Sequence, residues 1–269
     1  MSQKRQSVPK RSTDPLDYQR VPRAVAAMPK DFVSGFEVLP HVHERAQLIY
    51  ATAGTMRVST DDGMWMVPPQ RALWMPAGVR HSIIMLSDLT MRTLYLREDA
   101  AAFMPEVCRV LPVSPLLREL IVRATELPLD YDEEGPAGHV VALIIAELRG
   151  LQSLPLQLPM PSDPRLRALC QALLDAPGDQ RTLDAWAAML NASARTLARH
   201  FQSETGLSFG AWRQQARVLE AMGRLGNGAP VTQVAFDLGY DSVSAFSAMF
   251  RRAAGASPSD YRLRSHVSR

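Results

Sequence analysis

The chain has few cysteines, few lysines and no long hydrophobic segment. Cys108 and Cys170 are its only cysteines, and they lie far apart and in no CxxC pattern. This excludes a disulfide framework and predicts two reduced core residues. No apolar run approaches the ~18 residues that a membrane span needs, and the first 20 residues lack the apolar segment of a secretory signal. We therefore expect a cytoplasmic protein with no membrane partner.

The net charge of +3 is spread unevenly along the chain. Residues 1–30 hold all three lysines, with seven Lys/Arg against two Asp. Residues 31–161 hold ten Arg against sixteen Asp/Glu, and residues 162–269 hold thirteen Arg against nine Asp/Glu. An acidic middle between two basic segments predicts that only part of the molecule meets a polyanion, although a solvated charge pattern has the same appearance.

Composition and turn signals divide the chain into five segments. Residues 1–30 are basic and poor in apolar residues, as is typical of a flexible arm. Residues 31–97 contain short apolar stretches separated by Asp-Gly, Pro-Pro and Pro-Ala-Gly turns, which predict an antiparallel β-barrel. Residues 98–153 change to helical spacing, residues 154–162 form a proline-rich linker, and residues 163–269 are helical. The predicted fold class is α+β: an N-terminal antiparallel barrel followed by a C-terminal all-α domain.

Two amphipathic helices are predicted between the barrel and the linker. In the first, Ser114 is positioned as the N-cap and Pro115 as the first helical residue. Such helices either cover the barrel or pair with the same helices of a second copy, and a homodimer built on this region is our expectation. The apolar side of the second helix consists of Val140, Leu143, Ile144 and Leu148.

One residue skeleton occurs twice in the C-terminal segment. An Ala-x-x-Leu sequence leads to Asn191 in the first copy and Gly239 in the second, and both residue types tolerate the left-handed conformation that ends a helix. Ser193 and Ser242 follow as predicted N-caps. The pattern predicts two helix-turn-helix motifs. Their core-facing pairs, four residues apart, are Leu197 with Phe201 and Phe246 with Phe250.

The opposite faces of the two second helices are free to enter a major groove. On the first, Arg195 and Arg199 lie one turn apart, which suits bidentate contact with guanine edges. The second offers small groups that suit thymine methyls, phosphates or backbone fitting, so the first half-site should carry more base specificity. The predicted DNA-contacting residues are Ser193, Arg195, Thr196, Ala198, Arg199, Ser242, Val243, Ser244, Ser247 and Ala248.

Residues from about 164 to 264 resemble the DNA-binding domain of the AraC/XylS family of bacterial transcription regulators. The resemblance rests on the segments SARTLARHFQSETGLSF, RVLEA and VTQVAFDLGYDSVSAFSAMFRRAAGASPSDYR. It implies that two recognition helices, here Ser193–Glu204 and Ser242–Ala254, enter adjacent major grooves on one side of a double-stranded operator. Because such grooves are roughly 34 Å apart, one domain is expected to bind an asymmetric site about two turns long.

A second resemblance covers residues 31–97. The segment GFEVLPHVHERAQLIYATAG, together with PAGVRH, is similar to the two cupin motifs, the barrel that AraC-type regulators use as a sensor. Two positions depart from the pattern: Gln47 stands where an acid is usual, and Met85 replaces the asparagine that often closes the second motif. In metal-binding cupins the matching positions converge inside the barrel, and here they are His41, His43, Gln47 and His81.

These positions leave two alternatives open. Alternation along a strand lets His41 and His43 point to the same side, and three imidazoles with one amide oxygen form a donor set for a divalent transition metal. In the other alternative the histidines hydrogen-bond within a pocket for a small organic ligand. The candidate ligand-binding residues are His41, His43, Gln47, Tyr50, Trp65, Trp74 and His81.

The sequence as a whole predicts a DNA-binding transcriptional regulator whose barrel senses a small molecule or a metal and modulates operator binding. No catalytic residue is assigned, because Gln47 cannot supply the carboxylate that a cupin enzyme normally uses. A metal-dependent cupin enzyme fused to a DNA-binding domain is the alternative, and a constitutive DNA-binding protein with an unused barrel is a third hypothesis. RNA polymerase is a further partner that transcriptional control would involve.

Overall fold

The computed structural model of the chain describes residues 12–152 and 157–266. Its N-terminal part contains two five-stranded antiparallel sheets, a first sheet in the order β1-β8-β3-β6-β9 and a second sheet in the order β10-β5-β4-β7-β2. The sheets pack face to face and do not close into a continuous barrel. The strands are β1 (Val25–Phe32), β2 (Glu37–His41), β3 (Ala46–Ala53), β4 (Met56–Thr60), β5 (Gly63–Val67), β6 (Arg71–Met75), β7 (His81–Met85), β8 (Leu89–Leu96), β9 (Arg109–Pro112) and β10 (Gln157–Pro159).

The C-terminal part is helical, so the predicted α+β class is confirmed. None of the helices among the described residues is long and apolar enough to cross a membrane. The helices are α1 (Glu98–Ala101), α2 (Pro115–Ala124), α3 (Pro136–Arg149), α4 (Pro164–Asp175), α5 (Leu183–Met189), α6 (Ala194–Thr205), α7 (Phe209–Gly226), α8 (Val231–Asp237), α9 (Val243–Ala254) and α10 (Pro258–His266).

The interior between the sheets is filled with large apolar side chains. Strand β3 is buried along almost its whole length because the second sheet covers one face and helices cover the other. Ile49 from the first sheet and Trp65 from the second belong to the same cluster, together with Met56 and Met85. The predicted Asp-Gly turn does connect β4 to β5, whose strands pair antiparallel from Met56 to Val67.

Helices α2 and α3 cover the outer face of the first sheet. Ser114 caps α2 and Pro115 is its first residue, as predicted. Ile144 is fully buried in the cluster between α3 and the sheet, as the alternative in which these helices cover the barrel predicts. Leu143, next to it, is 51% exposed because the apolar stripe of α3 is wider than the surface it covers.

Two predicted segment boundaries differ from the structure. β1 begins at Val25 and pairs with β8 along its whole length, so the flexible arm does not extend through residues 12–30, and residues 1–11 lie outside the described part. β10 adds the linker residues Gln157–Pro159 to the edge of the second sheet, while residues 153–156 lie outside the described part. Both strands were missed because their pairing partners are far away in sequence.

Helix α7 packs directly on the second sheet and thus joins the two domains. The Trp212 indole donates from Nε1 to the Pro159 carbonyl at 2.7 Å. At the other end of α7, Asn227 Nδ2 donates to the Leu86 carbonyl at 2.8 Å. Between them Gly223 faces the sheet, where an added Cβ atom would be in ordinary van der Waals contact with Leu86 Cδ1 at 3.4 Å. A single apolar cluster therefore runs from the sandwich into the helical domain.

Candidate DNA-binding face and histidine cluster

Helix α6 is the second helix of the first predicted helix-turn-helix unit. Asn191 has a φ of 52° and ends the preceding turn, and the Ser193 hydroxyl accepts from Thr196 N at 3.1 Å as the N-cap. Arg195 and Arg199 are exposed on the outer face, and neither forms an ion pair with a described residue. Two free guanidinium groups one turn apart can approach a nucleic acid without breaking a contact of the protein.

Helix α9 repeats this construction in the second unit. Gly239 has a φ of 77° at the turn, and the Ser242 hydroxyl accepts from Ala245 N at 3.2 Å. Ser244 and Ala248 are exposed while Val243 and Ser247 are half-buried. The outer face of α9 therefore presents only short side chains over its first two turns. Of the predicted core pairs, Phe201, Phe246 and Phe250 are fully buried, and Leu197 is 4% exposed.

Several exposed residues near these faces were not predicted. His200 lies beside Arg199 on α6, with Nε2 at 3.9 Å from Glu204. Arg251 and Arg252 are exposed at the C-terminal end of α9, where cations are favoured by the helix dipole and can contact phosphates. Their signal, two adjacent arginines after the Phe250 core position, is visible in the sequence itself.

Three histidines converge at the open edge between the two sheets. His41 ends β2 and is paired in register with His81, the first residue of β7, whereas His43 lies in the turn that leads to β3. One ring nitrogen of each lies within 4.8 Å of the others, and the Nε2 atoms of His41 and His43 are 3.1 Å apart. Two such nitrogens are stable at this distance only with a proton or a cation between them. Three of the four predicted positions therefore do converge.

Backbone carbonyls fix the rings in an orientation suited to ion binding. His41 Nδ1 is 2.8 Å from Leu39 O and His81 Nδ1 is 3.0 Å from Val79 O, so each Nδ1 donates and each Nε2 keeps its lone pair. The buried Nε2 of His81 has no hydrogen-bond partner among residues 12–152 and 157–266. Burial, followed by repulsion from the other histidines, lowers the pKa of His43 to about 3. Burial likewise lowers the pKa of His81 to about 4, so both rings are neutral at neutral pH.

Gln47 is held by neighbouring polar side chains, and its role as a fourth metal ligand stays a prediction. Its Nε2 donates to Thr93 Oγ1 at 3.0 Å and to the Tyr95 hydroxyl at 3.4 Å. The side chain therefore lies across β8 inside the sandwich, where its Oε1 has no partner among the described residues. The Tyr95 ring, whose hydroxyl Gln47 contacts, has its centroid 5.1 Å from that of the His43 ring.

Two of the three predicted pocket aromatics face away from the interior. Tyr50 and Trp74 lie in the cluster beneath α2 and α3, and Trp74 Nε1 donates to Pro105 O at 2.9 Å. Trp65 does face the interior, and its Nε1 has no partner within the described ranges. Alternation decides this outcome, because Tyr50 and the inward Ile49 are adjacent on β3.

The residues before β1 close the sandwich next to the histidines. The buried Arg45 guanidinium donates to the carbonyls of Gln19, Arg23 and Val21, with distances of 2.9 Å to Gln19 and 3.0 Å to Arg23. Tyr18, fully buried, packs on the Tyr95 ring with centroids 6.0 Å apart. Sequence reasoning missed this contact because the arm was expected to be flexible. On the other side of the cluster, His81 borders a surface cleft of about 280 Å³.

Two helix-turn-helix units joined to a sandwich with a polar cluster define a DNA-binding regulator with a ligand-binding domain. Comparison with known families agrees. An AraC-like ligand binding domain matches residues 34–193, and a helix-turn-helix domain matches residues 186–264. The chain belongs to the AraC family of transcriptional regulators.

Individual relatives agree with this assignment. The HTH-type transcriptional regulator NimR of Escherichia coli K12 is 36% identical over 221 residues, 82% of this chain and 81% of its own. The arabinose operon regulatory protein of the same strain is 29% identical over 48% of this chain and 46% of its own. The crystal structure of ToxT from Vibrio cholerae O395 covers 90% of this chain and 98% of its own, at 11% identity and a TM-score of 0.39.

Proposed function

We propose that the exposed faces of α6 and α9 bind a specific operator, with Arg195 and Arg199 contacting base edges and α9 fitting the adjacent groove. The observation that supports this most strongly is the pair of exposed arginines one turn apart, with no ion pair to a described residue. Such groups can each form two hydrogen bonds with guanine O6 and N7. The other predicted contact residues lie at the helix starts or on the same faces: Ser193, Thr196, Ala198, Ser242, Val243, Ser244, Ser247 and Ala248.

Selection of duplex DNA from a random library by the full-length chain tests this proposal. We expect enrichment of one asymmetric site of about two turns, roughly 20 base pairs. Affinity for that site should fall steeply as salt is raised, since phosphate contacts release counterions. Enrichment of no sequence above background would contradict sequence-specific binding.

We further propose that the histidine cluster is the effector site and that a divalent transition metal fits it. The supporting observations are the three converging nitrogens and the unpartnered, buried Nε2 of His81. His41, His43 and His81 would hold the ion, and Gln47 Oε1, which has no partner among the described residues, is the predicted fourth donor. A bound ion would supply positive charge and further coordination positions for water or a small ligand.

Metal content distinguishes this proposal from an organic-ligand site. We expect untagged, chelator-free protein to contain near-stoichiometric metal by plasma mass spectrometry, and a His41→Ala/His43→Ala variant to lose it. His139→Ala is the matched control because His139 is exposed on α3, far from the cluster. Protein without metal in all three preparations would contradict metal binding and assign the cluster to an organic ligand.

Effector binding would reach the DNA-binding domain through α7. The second sheet carries His41 and His81, and the same sheet contacts α7 at Leu86 and at Pro159. A ligand changes operator affinity only through its differential affinity for two arrangements of the domains. A shift of β7 at the cluster would change the surface on which α7 packs.

We propose that a second copy of the chain pairs through the exposed side of α3. Leu143 is 51% exposed there, between the small side chains of Ala142 and Ala146. Leu143→Glu should increase the monomer fraction in sedimentation velocity while the fold is retained. Ala142→Glu should act in the same direction, and an unchanged dimer in both variants would exclude this face.

The regulator function is favoured over the cupin-enzyme alternative. The relatives NimR and the arabinose operon protein are transcriptional regulators. Among the described residues, the histidine cluster includes no carboxylate that could act as acid or base. A cytoplasmic location and contact with RNA polymerase follow from operator binding and form part of this proposal.

A further inference from the structure

The two helix-turn-helix units touch each other directly, in addition to both contacting helix α7. We count the loop that leads into α5 as part of the first unit. The loop after α4, residues 176–181, lies against the α8–α9 turn. Both chains have a glycine at this point, because there is no room for a side chain. A Cβ atom on Gly178 would lie 2.5 Å from Asp237 O, and one on Gly239 would lie 2.8 Å from Gly178 O. Gln180 Nε2 donates to the Gly239 carbonyl across the same contact. We call this contact the inter-unit junction.

Arg217, in the middle of α7, completes the inter-unit junction. Its Nε donates to Pro177 O at 2.9 Å and its Nη2 donates to Asp179 O at 2.9 Å, both in the first unit. Its guanidinium lies 5.7 Å from the ring centroid of Tyr240 in the second unit. One side chain therefore contacts both units and the helix that connects them.

The role of Arg217 is positional. The side chain is only 8% exposed and forms no ion pair with a described residue, so its charge faces neutral carbonyls and an aromatic ring. Charge-assisted hydrogen bonds from a planar guanidinium are strong and directional, and they fix the geometry of the acceptors. Buried behind both units, the side chain is not available for contact with DNA.

The separation of the recognition helices depends on this contact. α6 precedes α7 in the chain, α9 follows it, and both contact α7, so their angle is determined by α7 and by the inter-unit junction. Adjacent major grooves recur at a fixed interval of about one turn, which demands a matching interval between the helices. A loosened junction would let the second helix meet the groove over a wider range of positions.

We propose that Arg217 is a positioning residue that makes the protein selective for one spacing between its two half-sites. The inference rests on the proposed function of α6 and α9. It predicts that the junction determines which operator spacing is accepted, whereas Arg195 and Arg199 determine which bases are accepted. Gln180 contributes in the same way from the exposed edge of the junction.

The experiment measures binding of full-length protein to three duplexes. The first is the operator selected by the wild-type chain, the second carries one added base pair between the half-sites, and the third keeps only the first half-site. One base pair shifts the second half-site by roughly 3.4 Å and turns it by about 35°. The variants are Arg217→Ala, Arg217→Lys and Gln180→Ala. Gln214→Ala is the control, because Gln214 is exposed on the same helix.

We expect wild-type protein and the Gln214→Ala control to lose affinity on the order of tenfold or more when the base pair is inserted. Gln180→Ala should reduce this loss, and Arg217→Ala should reduce it to about threefold or less, mainly by weaker binding to the selected operator. Arg217→Lys should lie between, since an ammonium cannot hold both carbonyls in one plane. Affinity for the single half-site and the slope of affinity against salt should stay as in wild type, because Arg217 touches no phosphate.

Three outcomes would overturn the proposal. One is an unchanged spacing penalty in Arg217→Lys and Gln180→Ala, two variants that keep the core filled even if Arg217→Ala fails to fold. Another is an equal reduction of the spacing penalty in the Gln214→Ala control. The third is a reduced salt slope in Arg217→Lys, which would make the residue a phosphate contact. If wild-type protein selects no operator at all, the proposed function fails instead, so the two failures are distinguishable.

Discussion

The two helix-turn-helix units share their backbone construction and differ in the chemistry they expose. Both begin the second helix with a serine whose hydroxyl accepts a backbone N–H three residues on, and both bury aromatic rings at equivalent positions. The first exposes Arg195 and Arg199, whereas the second exposes Ser244 and Ala248. Folding constrains the cap, the turn and the buried pair, and it leaves the outer face free to differ. That face is where specificity can differ between the units.

The units also differ at the turn itself. Asn191 and Gly239 both adopt positive φ, 52° and 77° respectively. Asn191 is exposed, whereas Gly239 is packed against Gly178 and Arg217 at the inter-unit junction. The same position in the motif is therefore a local turn in one unit and an interface in the other.

The largest expected effect tests whether both units depend equally on their buried aromatic residues. Phe201→Ala and Phe250→Ala each remove a fully buried ring and should lower the free energy of unfolding by about 3–5 kcal/mol. Urea denaturation followed by circular dichroism measures the loss. Phe236→Ala, at a residue that is 54% exposed, should change little. A loss in only one unit would break the equivalence of their cores.

Alanine substitutions at the two turn positions should lower the free energy of unfolding by different amounts, because one turn is exposed and the other is part of the inter-unit junction. Gly239→Ala should cost about 2–4 kcal/mol, because a left-handed alanine is strained and its Cβ would overlap Gly178 O. Asn191→Ala should cost only about 1 kcal/mol, since that position is open. Thermal unfolding of both variants measures the difference. Equal losses would remove the distinction between the two turns.

Recognition should be weighted toward the first unit. Arg195→Ala and Arg199→Ala should each weaken specific operator binding by about 1–3 kcal/mol, measured by fluorescence anisotropy at fixed salt. Ser244→Ala should cost less than about 1 kcal/mol, because a lone hydroxyl makes at most one modest bond. The control is Arg123→Ala on α2, where Arg123 forms an exposed ion pair with Glu126. A loss at Ser244 that matched those at the arginines would show that both helices contribute equally to specificity.

The smallest effect should be the same in both units. Ser193→Ala and Ser242→Ala each remove a hydroxyl that accepts one N–H at the helix start, which should cost about 1 kcal/mol of stability. Replacement by glycine should cost only a few tenths. Stability measured by chemical denaturation checks both. A cost confined to Ser193, whose hydroxyl also lies 2.9 Å from Thr196 Oγ1, would mean that the side-chain pair and not the cap is stabilising.

The helical half of the molecule was predictable because its signals are local. Caps, left-handed turn residues and core pairs four apart all act within one or two turns of helix, so a single stretch of sequence contains both partners. Ser114, Ser193 and Ser242 are N-caps as predicted, and Asn191 has positive φ. The inter-unit junction was not predictable in this way, because Gly178 and Gly239 are neighbours only in space.

The sandwich was predicted as antiparallel, and its site was predicted only in part. The spacing of the two motifs correctly predicted that His41, His43 and His81 lie close together, because β2 and β7, which carry or adjoin these residues, are paired. It failed for Tyr50, since a strand covered on both faces is apolar on both, and its pattern cannot say which face is inside.

The sequence by itself determined that the chain has two helix-turn-helix units, which residues cap them, and that three histidines share one region. Tertiary structure alone decided that α2 and α3 cover the first sheet, that the linker joins the second sheet, and that α7 packs on it. It also decided that Arg217 faces two carbonyls of the first unit and a ring of the second. The physical reason is the sequence separation of the interacting groups. Turns and caps depend on residues a few positions away, whereas an apolar face can be buried by any surface that the folded chain brings against it.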